Sequence, residues 1–156
     1  DVLSAVSVEV DPHDPDVVAL AADLLATQRA ALGCVGLAAP QVGVSSRVFS
    51  LDVTDHPKAR TCHGPLVLAN PVVVQATRWE RGREGCLSVP HLTGDVKRAG
   101  RLVLRGLVPG TGEEVELTTD AFEARALQHE VDHLDGLLFL DRVTGAHAVH
   151  PRRSYL

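Results

Sequence analysis

The stretch DAFEARALQHEVDHLDG, residues 120–136, decides how the rest of the chain is read. Its apolar residues recur at helical spacing, Asp120 and Glu123 stand three apart as a capping box would, and Gly136 follows as a stop. A helix over about 121–135 is expected. Just upstream, VPGTGE at 108–113 is a Pro/Gly turn between the runs 101–107 and 114–117, so the two runs read as an antiparallel hairpin. The β-branched runs 47–53, 66–68 and 72–75 also read as strands. Nearer the start, Val17, Leu20, Leu24 and their neighbours make 14–32 a helix, with Asp14 placed to cap, Pro15 in the first turn and Gly33 as the stop. Helix, many strands, helix is the order of an α+β fold, not of alternating α/β units. Segment 55–64 and the tail 144–156 lack periodicity and are the candidates for mobile chain.

With 156 residues the chain is expected to form a single catalytic domain over 1–156, whose core, at 3% aromatic content, must be built from Leu, Val and Ala. No apolar run approaches the roughly 18 residues that would span a bilayer, so a membrane protein is not expected. A formal charge of −5 is the wrong sign for a domain that neutralises phosphates, which argues against nucleic acid as a partner. Three cysteines cannot all pair within one chain, and the N-terminus lacks the basic and apolar regions of a secretory signal; a cytoplasmic protein is expected.

The chemistry centres on His129-Glu130-Val131-Asp132-His133. Two His four apart project from one helical face and can reach a single metal ion, while Glu130, about 100° around the helix, can meet a water there without being a ligand. By itself the pattern also reads as an amphipathic helix with solvated polar residues. A third ligand must come from Cys34, Cys62, Cys86 or the other His and carboxylates. Cys86 stands out because Gly85 and Pro90 bracket a short extended segment that could cross the helix. One thiolate and two imidazoles would leave a fourth position open, as a catalytic site requires. A third segment, GCVGLAAPQVG at 33–43, has small residues that admit another backbone, and Gln41 offers an N–H for an oxyanion.

Taken together, Val35–Gln41 (VGLAAPQ), Glu84–Ser88 (EGCLS) and Gln128–Leu134 (QHEVDHL) resemble, in order and spacing, the three motifs of the peptide deformylases. The resemblance runs from about Asp14 to Val143. It implies mixed, mainly antiparallel sheets around a central metal-binding helix. It also implies removal of the N-formyl group from formyl-Met peptides by a metal-activated water, with formate released. Carried over residue by residue, it makes Cys86, His129 and His133 the metal ligands and Glu130 the general acid/base. Gln41 and the Leu87 backbone N–H become the oxyanion donors, and Val35, Gly36, Gly85 and Ala126 the borders of the pocket for the substrate's first side chain. The ion implied is one divalent metal, Fe²⁺ in the cell, with Zn²⁺, Ni²⁺ or Co²⁺ as substitutes. Transient contact with the ribosome is implied for an enzyme of nascent chains.

Three departures from the family pattern carry expectations of their own. Cys34 stands where the loop motif opens with glycine, Ala126 is smaller than the usual residue and implies a wider pocket, and the long basic C-terminal helix of common bacterial members is absent. Three rival readings remain at this stage: an endopeptidase using His or carboxylate as third ligand, a hydrolase of a small formylated or acylated metabolite, and a structural metal site closed by a fourth ligand such as His91.

Overall fold

The computed structural model describes residues 1–153. The first helix, α1, spans Pro15–Ala30; the Asp14 side chain accepts from the Asp16 N–H at 2.8 Å and Pro15 occupies the first turn. Strand β1 (Gly36–Ala38) runs through a 3-10 turn at Ala39–Val42 toward β2 (Val48–Leu51). Two long strands follow, β3 (Leu66–Cys86) and β4 (Val89–Leu107), then β5 (Glu114–Asp120), the second helix α2 (Ala121–Leu134) and a short β6 (Val149–Pro151). The sheet order is β1-β2-β3-β4-β5, every neighbouring pair is antiparallel, and β6 adds to β4. The fold is α+β.

Helix α2 lies within the curl of this sheet. Leu127, Leu134 and Ala124 pack with Phe49, Leu51, Leu102 and Leu104, all buried. Each leucine removed from water there contributes about 1.5–3 kcal/mol, which makes the metal-motif helix also the main core element. Gln128 fixes its height: its side chain accepts from the Ala99 N–H and donates to the Ala99 carbonyl, both at 2.9 Å, pairing with β4 as a strand would. A second apolar cluster packs α1, through Val17 and Leu24, on Leu37 and Val48.

Two expectations need correction. The runs 66–68 and 72–75 are not separate strands but the start of one, which continues through residues 77–84 to Cys86. Those residues (Thr, Arg, Trp, Glu, Arg, Gly, Arg, Glu) are mostly exposed, so no apolar alternation marks them. Pairing to β4, with register shifts between Ala69/Val72 and Val73/Gln75, makes the strand instead. The second correction concerns the start of α2. Ala121 has φ 48, a left-handed entry, and the Asp120 side chain makes no cap bond to the helix. It accepts from the Thr61 N–H at 3.3 Å, and Glu123 binds the His63 N–H at 2.7 Å and the Thr119 hydroxyl at 2.9 Å. The spacing suited a capping box, but both carboxylates fasten the irregular loop 55–64 to the helix. At the other end Gly136, at φ 76, closes α2 as expected, and a side chain there would meet the backbone of Ser4 and Ala5 at 2.9 Å.

The tail is structured as far as it is described: β6 pairs Val149, His150 and Pro151 with Gly94, Thr93 and Leu92. The rest of the tail, 154–156, lies outside the described residues. Among the described residues no helix is long and apolar enough to cross a membrane.

Candidate metal centre

Cys86 ends β3 at the tight turn into β4, where it pairs with Val89, and the turn carries it onto the face of α2 that presents His129 and His133. Their ligand atoms all lie within 4.8 Å of one another, and the Cys86 Sγ is 3.3 Å from the His133 Nε2. In a tetrahedral site with metal–sulfur and metal–nitrogen bonds of about 2.3 and 2.1 Å, neighbouring S and N ligands stand roughly 3.6 Å apart. The donor set therefore fits one divalent ion with little movement. The two imidazoles meet edge to face, with centroids 4.9 Å apart and planes at 76°, so their nitrogens converge from different directions. His91, the fourth ligand of the structural-site reading, is not part of the cluster found among the described residues.

Burial opposes a thiolate at Cys86, but hydrogen bonds from His129 and His133 outweigh it and hold the thiol at about 5. Burial likewise opposes charge on His129, yet Cys86 and Glu84 raise it to about 10. A thiolate facing an imidazolium is a poised ligand pair, because a cation displacing the imidazole proton keeps the electrostatic balance.

Around these groups is a shell that pattern reading passed over. Glu84, two residues before Cys86, accepts from the His129 Nδ1 at 3.2 Å, which leaves Nε2 to face the thiolate. Burial works against the Glu84 charge, but His129 and Arg98 hold its carboxyl down at about 2. Arg98 donates to both Glu84 oxygens at 2.9 and 3.0 Å and also to Asp132, which Arg142 engages as well. The signals were faint: Glu84 stands in the Cys86 motif, but nothing marks Arg98 in a run of polar strand residues. Because Arg98 is the cation shared by two buried carboxylates, Arg98→Met is expected to destabilise the fold by about 3–5 kcal/mol. A lower denaturant midpoint at unchanged slope would show it; an unchanged midpoint would mean that Arg125, His129 and Arg142 suffice.

The remaining expected residues lie around the same pocket, which is lined by Val35, Gly36, Gln41, Gly85, Cys86, Leu87, Ala126, His129 and Glu130; His133 sits beneath, 1% exposed. Glu130 is 4% exposed, and its Oε2 has no hydrogen-bond partner. Burial pushes its carboxyl above the usual range, although His133 and His129 pull the other way. A Cβ at Gly36 would stand 2.5 Å from the Glu130 Oε1, so only glycine leaves that carboxylate its place. Gln41 is aimed by its own backbone: Oε1 accepts from the Ala38 N–H at 2.9 Å, while Nε2 donates to the Ser88 hydroxyl at 3.1 Å and points at the Cys86 sulfur at 3.5 Å. Cys34, also on the pocket wall, is not among the positive-φ residues and donates to the Gly36 carbonyl at 3.1 Å; burial pushes its thiol up to about 11. A cysteine costs the backbone nothing at this position.

Comparison with known proteins gives one answer. Residues 1–148 match the family described as polypeptide deformylase. The peptide deformylase of Pelotomaculum thermopropionicum is 38% identical over 146 residues, 94% of this chain and 88% of that protein. That of Desulforudis audaxviator is 45% identical over 137 residues, 87% of this chain and 83% of its own. Among solved structures, the class I type b peptide deformylase of Acinetobacter baumannii superposes with a TM-score of 0.83 at 35% identity, covering 92% of this chain and 93% of that one. The Thermotoga maritima peptide deformylase gives 0.81 at 33% identity, with 92% of each chain covered.

Proposed function

The chain belongs to the polypeptide deformylase family, hydrolases that remove the N-formyl group from nascent peptides, and we propose that Cys86, His129 and His133 hold its metal while Glu130 handles the proton. The observation that carries this assignment is the convergence of three ligand atoms beside a buried carboxylate with an unpartnered oxygen. A divalent ion there supplies Lewis acidity, which makes water a nucleophile near neutral pH and polarises the formyl carbonyl. Glu130 takes the proton as water attacks the formyl carbon, then returns it to the amine nitrogen as the C–N bond breaks. Formate and a free amino terminus result. The Gln41 Nε2 and the Leu87 N–H receive the oxyanion; Gln41 moves its donor from Ser88 to do so. Val35, Gly36, Gly85 and Ala126 border the first side chain of the substrate, and the small Ala126 leaves that pocket wide. The peptide backbone lies against the 82–85 segment of β3 as an added strand.

The ion is Fe²⁺, with Zn²⁺, Ni²⁺ or Co²⁺ able to substitute. Residues 1–156 act as one catalytic domain in the cytoplasm, meeting N-formyl-Met chains transiently at the ribosome, with no direct nucleic-acid or membrane contact. The deciding experiment is formate release from formyl-Met peptides by anaerobically prepared, iron-loaded protein. Turnover is the expected result. Turnover of a small formylated metabolite in its place would transfer the assignment to metabolite hydrolysis.

A further inference from the structure

The end of the metal pocket away from the ligands is closed by two stacked rings. His56, in the loop 55–64, lies flat on Phe122 of α2, with ring centroids 3.7 Å apart and planes within 3° of parallel. Both line the pocket. Phe122 and Arg125 also line a neighbouring cleft that runs past Lys58, Arg81 and Gly82, whereas His56 lines the metal pocket and not that cleft. The two spaces are separated by a wall, and His56 is its pocket side.

Loop and helix both hold this wall. Phe122 packs against the core cluster that contains Leu127 and Leu134. The His56 Nδ1 accepts from the Lys58 N–H at 3.2 Å, two residues on, which is the turn an asparagine side chain also closes. Farther along, the Thr61 and His63 N–H groups bind the Asp120 and Glu123 carboxylates, so the loop is fastened to α2 independently of the ring. Burial and the Lys58 charge keep the imidazole below its usual pKa, so a neutral ring meets Phe122.

The helix sets how far this wall stands from the metal ligands. At 1.5 Å of rise per residue, Ala126 lies about 4.5 Å and Phe122 about 10.5 Å before His129 along the axis. Phe122, Ala126 and Glu130 are four apart and share one face. Toward β3, the Arg125 guanidinium lies over Gly82, where a Cβ would meet its Cζ at 2.8 Å, so that side is filled as well. The pocket is wide at Ala126 and short at the stack.

We propose that His56 is a specificity-determining residue that, stacked on Phe122, limits the length of the first side chain the pocket accepts. This rests on reading the pocket as a formyl-peptide site. A side chain that starts beside the metal and grows past Ala126 meets the stack with its tip, so girth is tolerated and length is not. Excess methylenes must displace the stack or leave the pocket, and a single methylene of misfit changes kcat/KM by about 10–200-fold.

The test uses the full chain loaded with its divalent ion and three formyl dipeptide amides with alanine second. Their first residues are methionine, phenylalanine and 2-aminodecanoic acid, whose unbranched side chain is twice as long as that of methionine. The unaltered enzyme should cleave the long peptide at least about tenfold less well than the methionine peptide in kcat/KM, with the phenylalanine peptide penalised less than the long one. His56→Asn keeps an acceptor for the Lys58 N–H and removes the ring. There the handicap of the long peptide should shrink to about threefold or less, through faster turnover of the long peptide. His56→Phe keeps a ring on Phe122 and loses the acceptor, and the handicap should remain. A merely loosened loop would slow all three peptides together and speed none. Equal rates for the methionine and long peptides in the unaltered enzyme, or a handicap that survives His56→Asn, would overturn the proposal. So would a handicap that disappears in His56→Phe, which would trace the limit to the Lys58 turn. Failure to release formate from the methionine peptide would instead sink the formyl-peptide reading.

Discussion

Cys86→Ala is expected to lose its metal while remaining folded. In a site with three protein ligands, each one supplies about a third of the protein's hold on the ion, and the thiolate is the only anionic ligand of the three. Loss of a residue that merely orients a ligand costs about 10–100-fold in affinity, so loss of the thiolate itself should cost at least about 10³-fold. The fold should tolerate the change. Cys86 is 6% exposed and packs beside Val96 and Phe139, so alanine leaves only the small void of one sulfur atom. Metal content after dialysis is one measure. Cobalt loading is another, because a cysteine thiolate on Co²⁺ gives a charge-transfer absorption that the variant should lack. A full equivalent of metal at unchanged affinity in Cys86→Ala would remove Cys86 from the ligand set and reopen the choice between Cys34 and the carboxylates.

The convergence of Cys86, His129 and His133 was partly legible in the sequence because one of its dimensions is set by local geometry. His129 and His133 share a face in any α-helix, and the run from 120 to 136 is apolar enough on its inner side to be one. Cys86 was legible only through its motif, since its approach to the helix depends on the turn that joins β3 to β4 some forty residues earlier. What escaped reading has a common cause. The 77–84 arm and the Arg98 bridge consist mainly of polar residues whose positions follow from long-range strand pairing, and polar strands leave no periodic apolar signature. The capping box failed for a related reason: Asp120 and Glu123 stood at the right spacing, but the loop at 61–63 competed for both carboxylates. Local chemistry was read correctly as chemistry and wrongly as to partner.

Glu130→Gln separates proton handling from metal binding and is the sharper test of mechanism. Glutamine keeps the shape of the side chain and so still fits the space that Gly36 leaves open, where the Oε1 lies 2.5 Å from the position of a would-be Cβ. It cannot accept or return a proton. Formate release should fall by about 10²–10⁴-fold in kcat, the range that positioned acid–base help supplies, with KM changed little because glutamine keeps the shape of this part of the pocket wall. Stability should not fall, since burial already opposes the carboxylate's charge and its Oε2 has no hydrogen bond to lose. Metal content should stay at one equivalent. That combination distinguishes Glu130 from the ligands: Cys86→Ala loses metal and activity together, whereas Glu130→Gln loses activity alone. A Glu130→Gln protein without its metal would place the carboxylate in the coordination sphere. One retaining metal and more than about a tenth of its kcat would mean that the proton travels by another group, and among the pocket-lining residues the imidazole of His56 would be the next to replace.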